Sequence, residues 1–516
     1  MAPKLDLNSL FWLPQALGQT LLWVYWWQIK EYRWDRFQIL FAHRQRGRKL
    51  KTDVISLKLV FILLAYFLKI FARLLPLLFL LLDGQYLIKV IKREIKKPKF
   101  TLRAQIILAI SLIPIILTTF HLLPLIIGEI FLIISPSFGI GLTALGVQWH
   151  QKRILKKAAL RLEKIKPIVI GITGSYGKTT TKEFVAHLLS QKYLVAKTTG
   201  NKNTPLGVGQ EIIKNLQKKH QFLVVEMGAY KRGEIKTLAN FVRPQVAVIT
   251  GIGPQHLALF GSLEKIKEAK FELIEALPPQ GIALFNFANS SCRQLAQKAK
   301  KLKTNLKIFP YASSTKILAV KPKKITFTIN ENKAKQKITA SLTGPHLVEN
   351  LTAAILIARL FKVSWTQIKR GCQTLKMPKK TMQFFPLKTG AWVVDDSYNV
   401  NFQGFQAAIN YLSRFKKRKK IVFTPGIIEL GPASSKIHYQ LGRLMRLKID
   451  KIILTDPQFA PALKKGLGKQ AFKLKVIENR QDQKNQLKKL IKNPHQVILM
   501  EGRVPQNLTD LIKKYA

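Results

Sequence analysis

The residue types best suited to chemistry fall between positions 171 and 181, Gly171-Ile172-Thr173-Gly174-Ser175-Tyr176-Gly177-Lys178-Thr179-Thr180-Thr181. The apolar run Ile168-Val169-Ile170 in front reads as a buried strand, and Lys182–Leu189 behind it reads as a helix. A glycine turn between strand and helix lets backbone N–H groups close on phosphate oxygens at the positive end of the helix. Lys178 adds a point charge, and the Thr179 hydroxyl can reach a Mg²⁺ ion. The candidate phosphate ligands are therefore Gly174, Ser175, Tyr176, Gly177, Lys178, Thr179 and Thr180. The spacing departs from the common phosphate loop: Ile172 stands where the first glycine is usual, and the early glycines are Gly171 and Gly174.

Further motifs stand where a doubly wound sheet places ligands, beyond the carboxyl ends of its strands. Val224-Val225-Glu226-Met227-Gly228 ends an apolar run with a carboxylate, and Thr250-Gly251-Ile252-Gly253-Pro254-Gln255-His256 ends the next with a histidine. Ala269-Lys270-Phe271-Glu272 follows, and Asp395-Asp396-Ser397-Tyr398-Asn399 closes an apolar run further on. Glu226 as an oxygen donor, His256 as a nitrogen donor and Thr179 make a set able to hold Mg²⁺ against a triphosphate. As plain sequence, His256 also suits a helix cap and Lys270 a solvated helix face.

The elements needed to position these residues are visible in the pattern. From Pro167 onward, short apolar runs at Ile168–Ile170, Phe222–Val225, Val246–Thr250 and Ile282–Phe285 alternate with helical stretches. That is an α/β arrangement with a doubly wound, ATPase-type central domain. Leu306–Thr343 reads as antiparallel strands appended to it, followed by helices at Leu347–Phe361 and Trp365–Leu375. Met377-Pro378-Lys379-Lys380 reads as a linker. Strand–helix units then recur at Trp392–Asp395, Lys420–Thr424, Lys451–Thr455 and Gln496–Met500, a smaller Rossmann-like domain. The expected divisions are 1–150, 151–378 and 379–516.

The first of these reads as an all-α membrane region. Leu10–Ile29 is apolar with Trp23, Tyr25, Trp26 and Trp27 at one end, like a span with an interfacial aromatic belt. Leu57–Ile88 exceeds one span and suits a tight hairpin or a span plus an interfacial helix, and Ala104–Val147, interrupted by prolines, suits two spans. Basic segments at Lys30–Lys51, Lys89–Arg103 and Lys152–Lys166 lie between and after these blocks. Held on the cytoplasmic side, they give one span plus two hairpins: a multi-pass protein of the cell membrane with its α/β part in the cytoplasm. His121 and Glu129 are ionisable groups inside apolar sequence and so are candidates for function. The chain carries 86 Lys+Arg against 27 Asp+Glu, a formal net charge of +59. Those cations are dispersed and accompany no nucleic-acid motif, so membrane-facing loops and a lysine-rich composition explain them and no nucleic-acid partner is expected. Cys292 and Cys372 lack metal-ligand spacing and suit a reducing compartment.

Taken together, these motifs resemble the Mur ligase family over residues 167–516. The likeness includes Thr173–Thr179, Gly200-Asn201-Lys202-Asn203-Thr204-Pro205-Leu206-Gly207-Val208 and Glu226-Met227-Gly228. It continues through His256-Leu257, Phe260-Gly261-Ser262, Gly344-Pro345-His346 with Asn350, Asp396–Asn399, and Glu429-Leu430-Gly431 with His438. The branch it is most similar to adds D-alanyl-D-alanine to a UDP-muramoyl tripeptide. The resemblance implies ATP and two Mg²⁺ sites. Lys178 and Thr179 would meet the phosphates, Glu226 and His256 would hold metal with a carbamylated Lys270, and Asn350 and Asp396 would flank adenine and ribose. It implies that Lys178, His256 and Lys270 serve ATP-dependent amide formation on a cell-wall precursor, nucleotide- or lipid-linked, with an amino acid or dipeptide as amine. Three departures accompany it. A membrane region stands in place of the sugar-nucleotide domain, the usual Gly-Arg-Met junction reads Lys380-Thr381-Met382, and the usual Lys-Gly-Ser near the C-terminus reads Glu501-Gly502-Arg503. The departures leave an alternative open, an ATP-binding membrane scaffold that no longer ligates.

Overall fold

The computed structural model describes residues 7–29, 31–34, 37, 98–120, 124–200, 202–254, 257–313, 315–331, 334–398, 400–428 and 430–516. It divides into two compact units, Met1–Arg153 and Ile154–Ala516. The expected hairpin over 57–88, most of the basic segments Lys30–Lys51 and Lys89–Arg103 on either side of it, and His121 lie outside the described residues.

In the first unit, helices Leu7–Ile29 and Leu102–Thr119 pack together, and Leu125–Ile165 begins there. Thr101 caps the second of these by accepting from the Ala104 N–H at 3.3 Å. Val24, Trp27, Phe37, Ala104, Ile107 and Ile140 form the apolar core, with the Trp27 and Phe37 rings stacked at 3.8 Å. Glu129 is buried and accepts from Trp12 Nε1 at 2.9 Å, so this acidic group within apolar sequence is hydrogen-bonded. Among the described residues, one helix, Leu102–Thr119, is long and apolar enough to cross a membrane. Pro114 and Pro136, expected to interrupt the apolar block, both lie inside helices. The helix Leu125–Ile165 runs through the expected division at residue 150, because Ala158, Ala159 and Leu160 continue a good helical sequence beyond it.

In the second unit, strands β1 (Ile168–Thr173), β2 (Val195–Lys197), β3 (Phe222–Glu226), β4 (Val246–Ile249), β5 (Ile282–Asn286) and β6 (Lys307–Tyr311) form one sheet. Its order is β2-β3-β1-β4-β5-β6, and every pairing is parallel. β3, β4 and most of β1 are fully buried, as near-continuous apolar runs demand when helices cover both faces. The segment expected as appended antiparallel strands splits. Its first strand, β6, adds to the parallel sheet, while β7 (Thr315–Lys321), β8 (Lys324–Glu331) and β9 (Ala334–Ala340) form a separate antiparallel sheet. β6 joins the large sheet because the helix Ser290–Leu302 supplies the crossover that a parallel pair needs.

A third sheet holds β10 (Gln383–Pro386), β11 (Trp392–Asp396), β12 (Lys419–Thr424), β13 (Lys451–Leu454), β14 (Leu474–Val476) and β15 (Gln496–Glu501), in the order β10-β11-β15-β12-β13-β14. β10 precedes the strand expected to come first and is the antiparallel edge of an otherwise parallel sheet. β11 and β15 are neighbours with Asp396 opposite Glu501, which places both carboxyl groups at the same end of the sheet.

Candidate active site

β1 delivers the chain to a turn that only glycine fits. Gly177 has φ +78°, and a Cβ there would stand 2.6 Å from Asn350 Oδ1. Gly174 has φ +153°, and its Cβ would stand 2.2 Å from Thr250 Oγ1. Thr250 also donates to the Tyr176 carbonyl, and Ser175 Oγ donates to Gly253 O at 3.0 Å, so the end of β4 braces the loop. The helix Lys178–Leu189 begins immediately afterwards. Lys178 is its first residue; its ammonium folds back onto Gly174 O at 2.8 Å, and burial holds its pKa below the usual lysine value. Thr181 Oγ1 donates to Asn350 Oδ1 at 3.2 Å, so the residue expected beside adenine also supports the turn.

Glu226, at the end of β3, is buried and central. It accepts from Thr179 Oγ1 at 2.8 Å and from Asn203 Nδ2 at 3.2 Å, and Lys182 Nζ lies 3.6 Å from its Oε2. Thr179 and Glu226 were expected to share a cation, and the structure brings them together. Lys182 and Asn203 were not singled out as ligands. Lys182 is entirely buried, donates to Gly200 O at 2.9 Å and faces Glu183 at 3.4 Å. Its spacing of four from Lys178 puts both on one face of the helix, the signal that sequence alone offered.

Lys270 lies on the helix Leu263–Glu275 and is buried, not solvated. Burial first, and then the charge of Lys178, push its pKa down to about 7. Glu234, Glu272 and Glu226 pull the other way. Lys270 thus feels the charges of both Lys178 and Glu226. His256 lies outside the described residues. Among the described residues, no three His, Cys, Asp or Glu side chains converge on a metal position. Thr179 and Glu226 nonetheless offer hard oxygens in contact with each other, the donor type that Mg²⁺ takes beside phosphate.

The remaining candidate, Asp396, stands on the smaller domain. Burial and the neighbouring Asp395 raise its pKa to about 7, against one backbone hydrogen bond from Met382 N at 3.1 Å. The junction carries positive φ at Lys380 (58°) and Met382 (44°), and Lys380 Nζ is engaged by Gln506. His438 is buried, accepts from Ile427 N at 3.1 Å and stacks on Phe459 at 4.0 Å, so it fastens the loop after β12. Asn399 and Glu429 lie outside the described residues.

A glycine-cradled phosphate loop and two α/β sheets of this connectivity agree with the comparisons. Residues 172–358 match the family described as Mur ligase middle domain, and residues 382–504 match Mur ligase, glutamate ligase domain. The chain belongs to the Mur ligase family. It is 30% identical over 295 residues to the UDP-N-acetylmuramoyl-tripeptide–D-alanyl-D-alanine ligase of Synechocystis sp., an alignment covering 56% of this chain and 62% of that relative's length. Among solved structures it is similar to MurF from Acinetobacter baumannii, at 30% identity and TM-score 0.63, covering 70% of this chain and 80% of the other. It is also similar to MurF ligase from Thermotoga maritima in complex with ADP, at 25% identity and TM-score 0.61, covering 71% and 85%.

Proposed function

We propose that the chain is an ATP-dependent amide ligase of the Mur type that acts on a peptidoglycan precursor and joins an amine to its terminal carboxylate. The observation that carries this reading is the contact of Thr179 with Glu226 beside the glycine turn that Lys178 closes, in a chain of this family, with a buried Lys270 that feels the charges of Lys178 and Glu226. The names of the relatives favour D-alanyl-D-alanine as amine and a nucleotide-linked tripeptide as acceptor.

In the proposed reaction the acceptor carboxylate attacks the γ-phosphorus of ATP, ADP leaves, and an acyl phosphate forms. The amine attacks the acyl carbon, phosphate leaves, and the amine nitrogen loses a proton. Lys178 and the backbone N–H groups of the turn bind the phosphates and carry the charge that grows on them. Thr179, Glu226, His256 and a carbamylated Lys270 would hold Mg²⁺, which supplies neutralisation of the triphosphate. The depressed pKa of Lys270 leaves a large neutral fraction near pH 7, the form that reacts with CO₂. Lys182 and Asn203 fix Glu226 from the protein side.

The first unit anchors this ligase at a membrane, as a multi-pass protein in the fuller form of the reading. Leu102–Thr119 supports it, as do the large apolar side chains exposed on two helices: Ile113 (55%), Phe138 (63%), Leu142 (60%) and Leu145 (74%). Such groups are stable against acyl chains and costly against water. An anchor of this kind favours a lipid-linked acceptor over a freely diffusing one. The alternative, a nucleotide-binding scaffold without turnover, draws its support from Glu501, a buried carboxylate with no partner.

The test is release of phosphate from ATP by the full chain in detergent, with nucleotide-linked or lipid-linked precursor and a panel of amines. Release that requires both acceptor and amine supports the ligase. ADP binding with no release under any pairing supports the scaffold. Recovery of the chain in carbonate-washed membranes checks the anchor.

A further inference from the structure

Between β2 and the helix Pro205–Asn215 the chain makes a turn in which Thr199, Gly200, Lys202 and Thr204 are exposed. Exposed as it is, this turn holds Glu226 from several directions. Glu226 N donates to Thr198 Oγ1 at 3.2 Å, and Gly200 O accepts from Lys182 Nζ, the lysine beside the same carboxylate. Asn203 Nδ2 donates to Glu226 Oε1 at 3.2 Å, while Thr179 donates to Oε2, so the two bonds together fix the rotation of the carboxylate. Asn203 O also accepts from Gly228 N at 3.2 Å. A Cβ on Gly228 would stand 2.8 Å from Asn203 Cγ, so Asn203 presses against the chain just beyond Glu226.

An exposed turn with few buried contacts opens easily. What fastens this one is a second carboxylate. Glu211, on the helix Pro205–Asn215, is buried and accepts from Lys202 Nζ at 2.6 Å, from Thr199 N at 3.2 Å and from Asn215 Nδ2 at 2.8 Å. Two of these donors, Thr199 and Lys202, belong to the turn. Burial raises the pKa of Glu211, and the bonds from Lys202 and Thr199 outweigh it, so the group stays below the usual carboxylate value and is charged at neutral pH. A neutral acceptor would serve Thr199 N and Asn215 as well; the charge is matched to Lys202, the neighbour of Asn203 in the chain. The helix beneath is itself fixed. Arg161 Nε donates to Leu216 O at 2.6 Å, and a Cβ on Gly209 would stand 3.3 Å from Leu155 Cδ2.

We infer that Glu211 is a positioning residue for Glu226: by holding Thr199 and Lys202 it fixes Asn203, and Asn203 keeps the Glu226 carboxylate turned toward Thr179. This deepens the ligase reading above and rests on its assignment of Thr179 and Glu226 to Mg²⁺. Groups that hold a metal ligand from behind tune the affinity for the ion without touching it.

The test is binding of Mn²⁺ to the full chain in detergent with ADP, read by electron paramagnetic resonance. The proteins compared are wild type, Glu211→Gln, Lys202→Met, Asn203→Ala and the double variant Asn203→Ala with Glu211→Gln. Glu211→Gln keeps an acceptor for Thr199 N and removes the charge. Lys202→Met changes a side chain that is 45% exposed, so folding is not at stake. Each single variant is expected to bind Mn²⁺ about tenfold or more weakly, the scale of losing an outer partner of a metal ligand. ADP binding without metal should stay as in wild type, and the double variant should lose no more than Asn203→Ala alone. The inference falls if Glu211→Gln and Lys202→Met bind Mn²⁺ as tightly as wild type, which would leave Glu211 a staple for the turn. It falls if metal-free ADP binding drops in step with Mn²⁺ binding, or if the losses add in full in the double variant. It falls too if the wild type with ADP binds no Mn²⁺. Failure of the ligase reading is separate: phosphate release is then absent with every acceptor and amine while Mn²⁺ binding follows the expected order.

Discussion

Two sheets of the second unit end in buried charge of opposite sign. At the carboxyl edge of the first sheet, Lys182 lies 3.6 Å from the Glu226 carboxylate, whose charge both Lys178 and Lys270 feel. At the corresponding edge of the third sheet, Asp396 stands opposite Glu501 and, among the described residues, neither forms an ion pair, while Asp395 feels the charges of Lys380 and Lys513. Burial pushes Lys178 and Lys270 toward neutrality, and it pushes Asp396 and Glu501 toward protonation. The pair shows how one architecture gathers two kinds of charge. A parallel sheet brings the ends of its strands together, and the residue types placed there decide which sign is buried.

The strongest way to break this comparison is to remove the central cation. Lys178→Ala is expected to lower ATP turnover about 10²–10³-fold or more, the scale of losing one fixed electrostatic stabiliser. The melting temperature without nucleotide should change little, because the Lys178 ammonium holds backbone carbonyls of its own turn, Gly174 O at 2.8 Å and Ser175 O at 3.4 Å. Near-normal turnover would remove the phosphate-loop assignment. Lys270→Ala is the next largest. The mutant should lose most activity, and a short carboxylic acid added to it should restore part by standing in for a carbamate. Unrescued full activity would leave Lys270 without a role at the phosphates, and the lysine edge would shrink to Lys178 and Lys182.

Sequence showed one edge far better than the other. Gly174, Gly177, Lys178 and Thr179 are local: their meaning lies in spacing along eleven residues, Gly171 to Thr181, and the strand and helix on either side are strongly patterned. Glu226 was readable because a carboxylate ending an apolar run stands out. Lys182 was hidden because a lysine on a helix is usually solvated, and only tertiary packing shows it buried against Glu226. The acidic edge depends on β11 and β15 becoming neighbours across about a hundred residues of chain, a pairing no local pattern encodes. Glu501 was visible only as a departure from a family motif. β2 and β14, three residues each, carry too little pattern to be read. β6 looked like the hairpins after it, because edge position and not composition sends it to the parallel sheet.

Lys182 offers a smaller, structural test of the lysine edge. Lys182→Met keeps the length of the side chain and removes its charge, which leaves Glu226 facing Glu183 with less compensation. Breaking a buried pair in this way costs about 3–5 kcal/mol of stability. Added ADP with Mg²⁺ should recover more of the melting temperature in Lys182→Met than in wild type, because the incoming cation takes over the lost charge. Equal ligand-induced shifts in the two proteins would show that Lys182 is packing and not part of the charge balance.

The finest prediction separates the two edges by pH. Asp396 ionises near 3.8 when unfolded and near 7 when folded, and Glu501 is raised in the same direction. Between those values the folded chain holds protons that the unfolded chain has released. Its stability therefore falls as pH rises from about 4 toward 7. Lys270 behaves oppositely: its ordinary value of 10.5 is lowered to about 7, so below pH 7 the folded state must carry a buried charge, and stability returns as pH rises from about 7 toward 10.5. The two edges together place a dip in stability near neutrality for the ligand-free chain. Thermal melts of the detergent-solubilised protein across this range should show it. Glu501→Gln should raise stability at neutral pH and flatten the acid-side slope alone, while Lys270→Met should flatten the alkaline-side slope alone. If Glu501→Gln leaves the acid side unchanged, Glu501 is paired in solution and does not contribute to the acid-side slope. If both slopes persist in both variants, the contrast between the edges has no energetic content.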